Sequence, residues 1–448
     1  MMHRSVRQRL PVASLTLLIL FFHPAFLVAQ VNARDSLLAE VTLKNAIDYA
    51  IIHQPIIQQS LLDQELVEAN IRSRLSEMYP QLNFNYLLQH NFIIQTAVIA
   101  GNNVKLGVNN TSAGQFSFSQ NIFSRDVLLA NRTKSTLREQ GRQVTSSNKI
   151  DIAADVAKAF YDVLSTMQQL RISNENIVRI ERSLKDAYNQ YTAGIADKID
   201  YKRATITLNN TNADKRSNES LLDAKLAYLK AMMGYPNSGK LNIVYDSSQV
   251  EKEIQLDTLT KPDYRLRIEY NLLETRQRLL EYNVKYNKWS YLPNISATGA
   301  YNLNFQNNGF NKLYNNNFPN SFTAVSLGFP LFQGGKRKAD TRIAQLDLQR
   351  NNLEIVNLQN NINAGYAQAL AMYKSNLQYY LALKENLALA REVYDVVQLQ
   401  YRSGIKTYLE VITAETDLRT SQINYYTAIY QLLSSKVDVQ KQLGQIIY

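Results

Sequence analysis

The chain offers little material for chemistry. Its four histidines are His3, His23, His53 and His90, and it contains no cysteine. Disulfides, thiolate metal sites and a lipid-carrying N-terminal Cys are therefore excluded. There is no HExxH pair and no Cys/His cluster, and His53 and His90 fall in different segments, so neither a zinc centre nor a His-based triad can be assembled. "GYPNSGKL" at 234–241 fits the first seven positions of a phosphate-cradling loop, G-x-x-x-x-G-K. Leu241 then stands where Ser or Thr would hold magnesium, and the preceding segment reads as helix rather than strand. A glycine ending a helix, followed by a proline turn, accounts for the match. No catalytic residue, metal or cofactor is expected.

The residues that do form a pattern lie in two turns. "YTAGIADKIDYKRAT" at 191–205 and "YRSGIKTYLEVITAE" at 401–415 superpose with a shift of 210 residues. Tyr191 meets Tyr401, Gly194 meets Gly404, Ile195 meets Ile405 and Ala204 meets Ala414, while Asp200 meets Glu410, acid for acid. The same shift pairs Leu208 with Leu418, Leu222 with Leu432 and Gly234 with Gly444. Taken alone, charged residues in such turns are usually just solvated.

Something must carry these turns. The 448 residues include only 15 Gly and 9 Pro. No proline occurs between Pro80 and Pro236 or after Pro330, and the stretch between Gly141 and Gly194 has neither Gly nor Pro. Ile362, Tyr366, Ala369, Tyr373, Leu377 and Tyr380 recur at helical steps, as in a helix buried along a seam. Two very long helices are predicted over 124–191 and 333–401, each about 100 Å at 1.5 Å per residue. Returning helices are predicted over 197–234 and 406–443, and shorter ones over 42–78 and 263–289. Gly194 and Gly404 sit where a left-handed residue closes a helix end. The chain thus reads as an internal duplication with two long helical hairpins.

Four segments depart from this rule. In "PQLNFNYLLQHNFIIQ" at 80–95, Leu82, Phe84, Tyr86 and Leu88 alternate with Gln81, Asn83, Asn85 and Gln89. "QFSFSQNI" at 115–122, "PNISATGAYNLNFQ" at 293–306 and "SFTAVSLGFPLF" at 321–332 alternate in the same way. These are amphipathic strands of bilayer-crossing length, paired as two hairpins through Asn- and Gly-rich loops. A globular sheet with one wet face is the alternative. Four strands cannot close a membrane barrel, and open edges are not tolerated in lipid, so a membrane reading requires oligomerisation.

The N-terminus carries Arg4, Arg7 and Arg9, then an apolar run from Leu10 to about Ala29, the layout of a secretory signal peptide over 1–30 or, alternatively, of a membrane anchor. Its removal takes three arginines and no acid, so the net charge of +11 becomes +8. That charge is spread along the chain, with no basic block for nucleic acid.

Signal peptide, two copies of strand–loop–strand–long helix–YxxGxxxxx(D/E)–helix and the 210-residue spacing resemble the TolC-like outer-membrane efflux protein family. "PLFQGGKRKADTRIAQ" at 330–345 resembles that family's strand-to-helix motif, and "SQNIFSRDVLLANRTK" at 119–134 is its degenerate first-half partner. The resemblance covers roughly residues 40–445. It implies an α+β membrane protein: a homotrimer whose chains each give four strands to a twelve-stranded outer-membrane β-barrel, continued by a long periplasmic α-helical barrel. The segments would be N-terminal helices (31–79), a first β-hairpin (80–123), a first helical hairpin (124–235), an equatorial segment (236–261), a helix (262–292), a second β-hairpin (293–332) and a second helical hairpin (333–448). The implied function is an exit duct of a tripartite efflux or type I secretion system, partnered by a periplasmic adaptor and an inner-membrane transporter and embedded in outer-membrane lipid. A structural coiled-coil surface protein and a periplasmic enzyme are the rivals. The resemblance further implies a gate at the periplasmic tip made by Asp200, Tyr401 and Lys406. Lys406 replaces the usual Arg and offers a point charge rather than a fork. The constriction would fall on Glu410 and Thr413, where Thr413 replaces a second acid.

Overall fold

The structure is a computed structural model that describes residues 38–245 and 253–446. Its elements belong to a unit that begins at Glu40; of the preceding unit, Met1–Ala39, only residues 38 and 39 are described. The expected signal segment and part of the expected equatorial segment lie outside the described residues.

Two helices open the unit, α1 (Leu43–His53) and α2 (Pro55–Ser76), where the sequence predicted one over 42–78. Pro55 divides them: Gln54 is extended, and the proline takes the first helical position, where its missing N–H costs nothing. Strand β1 (Gln81–His90) follows, then a small hairpin of β2 (Thr96–Ile99) and β3 (Asn102–Lys105), then β4 (Asn110–Phe123). The small hairpin occupies part of the predicted loop. Its turn residues Ala100 and Gly101 both have positive φ, the backbone that a tight two-residue hairpin demands. Helices α3 (Arg125–Thr192) and α4 (Lys198–Met233) complete the first half.

The second half repeats the order with α5 (Ile268–Lys288), β5 (Asn294–Asn307), β6 (Asn320–Gly328), α6 (Lys336–Arg402) and α7 (Tyr408–Leu443). Strand β6 ends before Phe329 and Pro330, since a proline cannot donate to the ladder. Gly334 and Gly335 then take left-handed φ of 56° and 85° to turn the chain into α6, which explains the Gly-Gly of that motif. The first half makes the same transition with Ser124, whose hydroxyl caps α3 at the Asp126 N–H. Among the described residues no helix is long and apolar enough to cross a membrane.

The large sheet is antiparallel, in the order β1-β4-β5-β6. Its register puts the apolar positions on one face. Leu82 lies opposite Phe118, Phe84 opposite Phe116, Phe116 opposite Tyr301, and Ile295 opposite Leu327. Strand β4 begins at Asn110, five residues before the predicted start, because its small polar residues find backbone partners on both sides, in β1 and in β5. A bulge at Asn121/Phe123 shifts the register, so Phe123 rather than Ile122 pairs with Ile295. The apolar face is bare toward the helices, where Leu82 is 80% exposed and Val325 73%. Toward the loops the turn at 310–315 covers it, with the Tyr314 hydroxyl 2.7 Å from that of Tyr86 and its ring against Phe305. Among the described residues the outer edges of β1 and β6 have no partner strand.

The helices continue this four-across arrangement as columns. Helix α3 packs against α2 and α4, against α5 and α7, and α6 packs against α5 and α7. Helices α2 and α4 stack end to end: the Gln54 amide donates to the Ala231 and Met232 carbonyls at 3.2 and 3.4 Å, capping α4. In the second half Arg267, just before α5, donates to the Gln442 carbonyl at the end of α7 at 3.1 Å. The duplication therefore includes the helix before each first strand. Gly234 and Gly444 make both joints possible, with φ of 66° and 70°. A Cβ at these positions would lie 2.7 Å from the His53 carbonyl oxygen and 2.6 Å from that of Leu266.

Gly234→Ala and Gly444→Ala should each destabilise the protein by at least about 2 kcal/mol, since left-handed strain of about 1–2 kcal/mol adds to a backbone clash. Gly194→Ala, with nothing within 4 Å of its added Cβ, should cost the strain alone. Thermal unfolding of the detergent-solubilised protein checks the ranking; equal shifts for Gly194→Ala and Gly234→Ala would refute it.

Candidate functional site

The duplicated turns share their closing bonds, the first adding one from the Ala196 N–H to the Gln190 carbonyl. Gly194 N–H donates to the Tyr191 carbonyl at 3.0 Å and Gly404 N–H to that of Tyr401 at 2.9 Å. Ile195 N–H reaches the Gln190 carbonyl and Ile405 N–H the Gln400 carbonyl, both at 2.9 Å. Gly194 and Gly404 have φ of 73° and 75°, the left-handed values expected of helix-closing glycines. The returning helices start on different caps: Asp197 accepts from the Ile199 N–H, and Thr407 from the Glu410 N–H.

The two tips pack against each other within one chain. Ala187 from α3, Ala204 from α4, and Tyr408 and Val411 from α7 form a buried cluster, with Tyr201, Val397 and Tyr401 against it. The Tyr401 hydroxyl donates to the Gln190 side-chain oxygen at 3.0 Å, tying the second hairpin to the first. Burial raises the Tyr401 phenol above its ordinary range; Gln190 opposes this, and the charges of Asp200 and Asp186 add to it. Asp200 is half-buried, and among the described residues no side chain bonds to its carboxylate.

Lys406 and Glu410 pair with each other at 2.6 Å, one turn apart. Glu410 also accepts from the Thr407 N–H at 2.9 Å, closing a capping box at the start of α7. The Lys406 bond first, then the Thr407 N–H, hold the Glu410 carboxyl down at about 2, so it is ionised at any physiological pH. Thr413 is exposed, and its hydroxyl donates back to the Leu409 carbonyl at 2.9 Å. Within one chain the structure thus joins Lys406 to Glu410 and Tyr401 to Gln190, while the side chains of Asp200 and Thr413 bond to neither pair.

Sequence reasoning missed an acid just behind the tip. Glu415 is 4% exposed and lies 3.7 Å from the Arg179 Nε of the first hairpin, beyond hydrogen-bond range. Glu415 Oε1 and Arg179 Nε are both buried without a hydrogen-bond partner. Burial pushes the Glu415 carboxyl up to about 7, against the pull of Arg179 and Arg419. The signal was present: Val411, Ala414, Leu418 and Gln422 are the buried stripe of α7, and Glu415 falls in it. Below it, Arg419 meets Asp214 at 3.1 Å and Lys441 meets Asp151 at 2.7 Å, further ties between the hairpins.

The family model described as "Outer membrane efflux protein" matches residues 46–235 and 272–445. The chain belongs to that family. Outer membrane efflux proteins similar to it include the outer membrane protein OprJ of Pseudomonas aeruginosa, 20% identical, covering 91% of this chain and 85% of that one. TolC of Escherichia coli K12 is 18% identical, over 94% of this chain and 86% of that one. Among solved structures, a membrane protein from Pseudomonas aeruginosa superposes with a TM-score of 0.72 at 18% identity, covering 91% of this chain and 94% of that one. The open state of the Neisseria gonorrhoeae MtrE outer membrane channel superposes at 0.69 with 17% identity, over 90% and 88%. The fold of this efflux protein is therefore that of the outer-membrane channels, and the outer membrane is its location. The family is one of channels rather than enzymes.

The folded Glu415 carboxyl sits above its ordinary 4.5, so the folded state holds the proton more tightly than the unfolded one. Stability at this seam should be greatest below about pH 4.5, fall as pH rises to about 7, and stay flat above. Hydrogen-exchange protection around 176–183 and 411–422, with the intrinsic pH dependence of exchange divided out, should fall over that interval, and Glu415→Gln should abolish the trend. An unchanged pH profile in Glu415→Gln would assign the trend to other groups.

Proposed function

We propose that three copies of this chain assemble into an exit duct, each giving four strands to a twelve-stranded barrel and four helical columns to a periplasmic tube. The observation that carries this is the pair of unpartnered edges. Among the described residues, strands β1 and β6 each present a row of backbone N–H and C=O groups with no partner strand, although the adjacent side chains are apolar enough for lipid. In hydrocarbon each such group costs several kcal/mol, and only pairing with another chain removes the cost. The helical columns repeat the argument. Along α4, Ile199, Ile206, Leu221 and Tyr228 are exposed, and along α6, Leu353, Val393, Val396 and Leu399. These are the two lateral columns of one chain, so the same neighbour that closes the sheet covers the stripes. The small outer membrane barrels of about eight strands are reached by two chains and exceeded by three; the resemblance of the duplicated motifs selects three.

The rival of a structural coiled coil gives no account of a sheet with a continuous apolar face. The duct would receive small molecules or polypeptides from an inner-membrane transporter through a periplasmic adaptor. Its segments would be used as the sequence suggests: strands in the outer membrane, loops 91–109 and 308–319 outside, hairpin tips deep in the periplasm. At the tip, Asp200 is the acceptor left open within one chain. In the assembly it would take Tyr401 and Lys406 of a neighbouring hairpin, with Glu410 and Thr413 lining the constriction and Gly194 and Gly404 shaping the turns. Lys406 can bridge Glu410 and a neighbour's Asp200, because an ammonium has three donors.

An exposed ion pair is worth about 1 kcal/mol at most, and threefold symmetry repeats it. Asp200→Ala should therefore leave a trimer in mild detergent and give larger or more frequent openings in planar bilayers. Glu410→Ala should weaken block by divalent cations without opening the pore. A monodisperse monomer would overturn the assembly. Unchanged conductance in Asp200→Ala, with opening in Glu410→Ala, would overturn the division of roles.

A further inference from the structure

The polar face of the sheet carries no ionisable side chain. The only ionisable groups in the four strands, Tyr86, His90 and Tyr301, alternate onto the apolar face, where His90 meets Asn110 at 2.6 Å. Across the polar face the register brings one residue type into a line. Asn85 of β1 lies opposite Gln115 of β4, Gln115 opposite Asn302 of β5, and Asn302 opposite Asn320 of β6. The row is carboxamide from one edge of the sheet to the other. The rows beside it are mixed: Asn83, Ser117, Ala300 and Phe322 on one side, and Leu87, Ala113 and Asn304 on the other. The Asn302 amide donates to the Asn320 side-chain oxygen at 2.5 Å, so part of the row is already bonded along itself.

Neighbouring strands lie about 4.8 Å apart, so the row is a ladder of alternating donors and acceptors at that spacing. A carboxamide has two donors and two acceptor sites, and a ladder bond uses one of each pair. The remainder face the space in front of the sheet. Such a surface holds water and bonds hydroxyls, amides and ether oxygens of either polarity. It sets up no net field, unlike a ring of carboxylates or guanidinia, which selects by sign. Along β4 the first helical charge, Arg125, comes ten residues after Gln115, about 33 Å at strand rise and beyond the roughly 8 Å over which physiological salt lets a charge be felt.

We propose that this carboxamide row is a solute-solvating girdle of the outer-membrane part of the duct: a neutral, hydrogen-bonding collar that admits uncharged, anionic and cationic solutes alike. Selection by charge then belongs to the periplasmic tip, and polyhydroxylated or amide-rich solutes are the class that the collar solvates best. The inference deepens the duct reading and rests on the polar face being the lumen wall.

The absence of cysteine makes the test direct, because an introduced thiol is the only one in the chain. Asn302→Cys, Gln115→Cys and, on the opposite face, Tyr301→Cys are made singly in the full chain. Intact cells are treated from outside with trimethylammonioethyl or sulfonatoethyl methanethiosulfonate. Asn302→Cys and Gln115→Cys should react with both reagents at intrinsic-rate-corrected values within about threefold of each other, and Tyr301→Cys with neither. Adding Asn302→Asp to Gln115→Cys places carboxylates in the girdle and should move the cation-to-anion ratio by about tenfold, each reagent contributing a few-fold at such separations. A tenfold preference for one sign in Asn302→Cys, no reaction at either amide position, or a ratio unmoved by Asn302→Asp would each overturn the girdle. Reaction at Tyr301→Cys in place of Asn302→Cys would instead overturn the duct reading, since the faces would then be reversed.

Discussion

A backbone amide in hydrocarbon has only other backbone amides to bond with, and the arrangement of this chain follows from that. Four strands satisfy three shared edges and leave two open. The two open edges lie at opposite ends of the order β1-β4-β5-β6, one contributed by each half of the duplication. The helices below obey the same order, so an edge of the sheet is also an edge of the helical layer. Closing one therefore closes the other. This is why the lateral helices carry bare apolar stripes while the central seam, from Val156 to Val163 on α3 and from Leu432 to Val439 on α7, is buried within the chain. Burial inside the protomer is worth about 25 cal/mol per Å² of apolar surface, and the same term acts across the lateral faces once a neighbour arrives.

The tip works under a different constraint. Each turn must reverse a helix at full exposure, with the last carbonyls and first N–H groups unsatisfied. Both copies solve the first problem with the same glycine and the same bonds. They solve the second with different residues, Asp197 in one and the Thr407–Glu410 box in the other. Glu410 is thus committed to a structural bond before any role at an axis is considered, and Asp200, its counterpart by position, is not. The duplication keeps the backbone and lets the side chains diverge.

Much of this was legible in the residues. Long stretches without Pro and almost without Gly place α3, α4, α6 and α7 within a few residues, because helix-breaking is a local property. Alternation identified the faces of the four strands, since period two is also local, except at the end of β4, where the bulge takes Ile122 out of line with Phe116 and Phe118. What escaped depended on partners distant in sequence. The early start of β4 rests on pairing with both β1 and β5. The short β2–β3 hairpin rests on two turn residues that read as loop. The Arg179–Glu415 contact joins residues 236 apart, and the stacking of α2 on α4 depends on Gln54 finding Ala231. The gate residues were placed by resemblance rather than by any pattern of charge, and one chain alone brings only some of them together.

The columns also differ as mechanical parts. Helices α3 and α6 are unbroken rods of 68 and 67 residues, whereas α2 with α4, and α5 with α7, are shorter struts butted together at Gly234 and Gly444. A rod transmits a bending moment along its whole length; a butt joint held by a few cap bonds transmits compression and little else. Torque applied at the hairpin tips would travel toward the sheet through two columns and be relieved at the joints of the other two. Rod and strut alternate across the chain, so each stiff member lies beside a compliant one, and the far end can turn without prying the sheet apart.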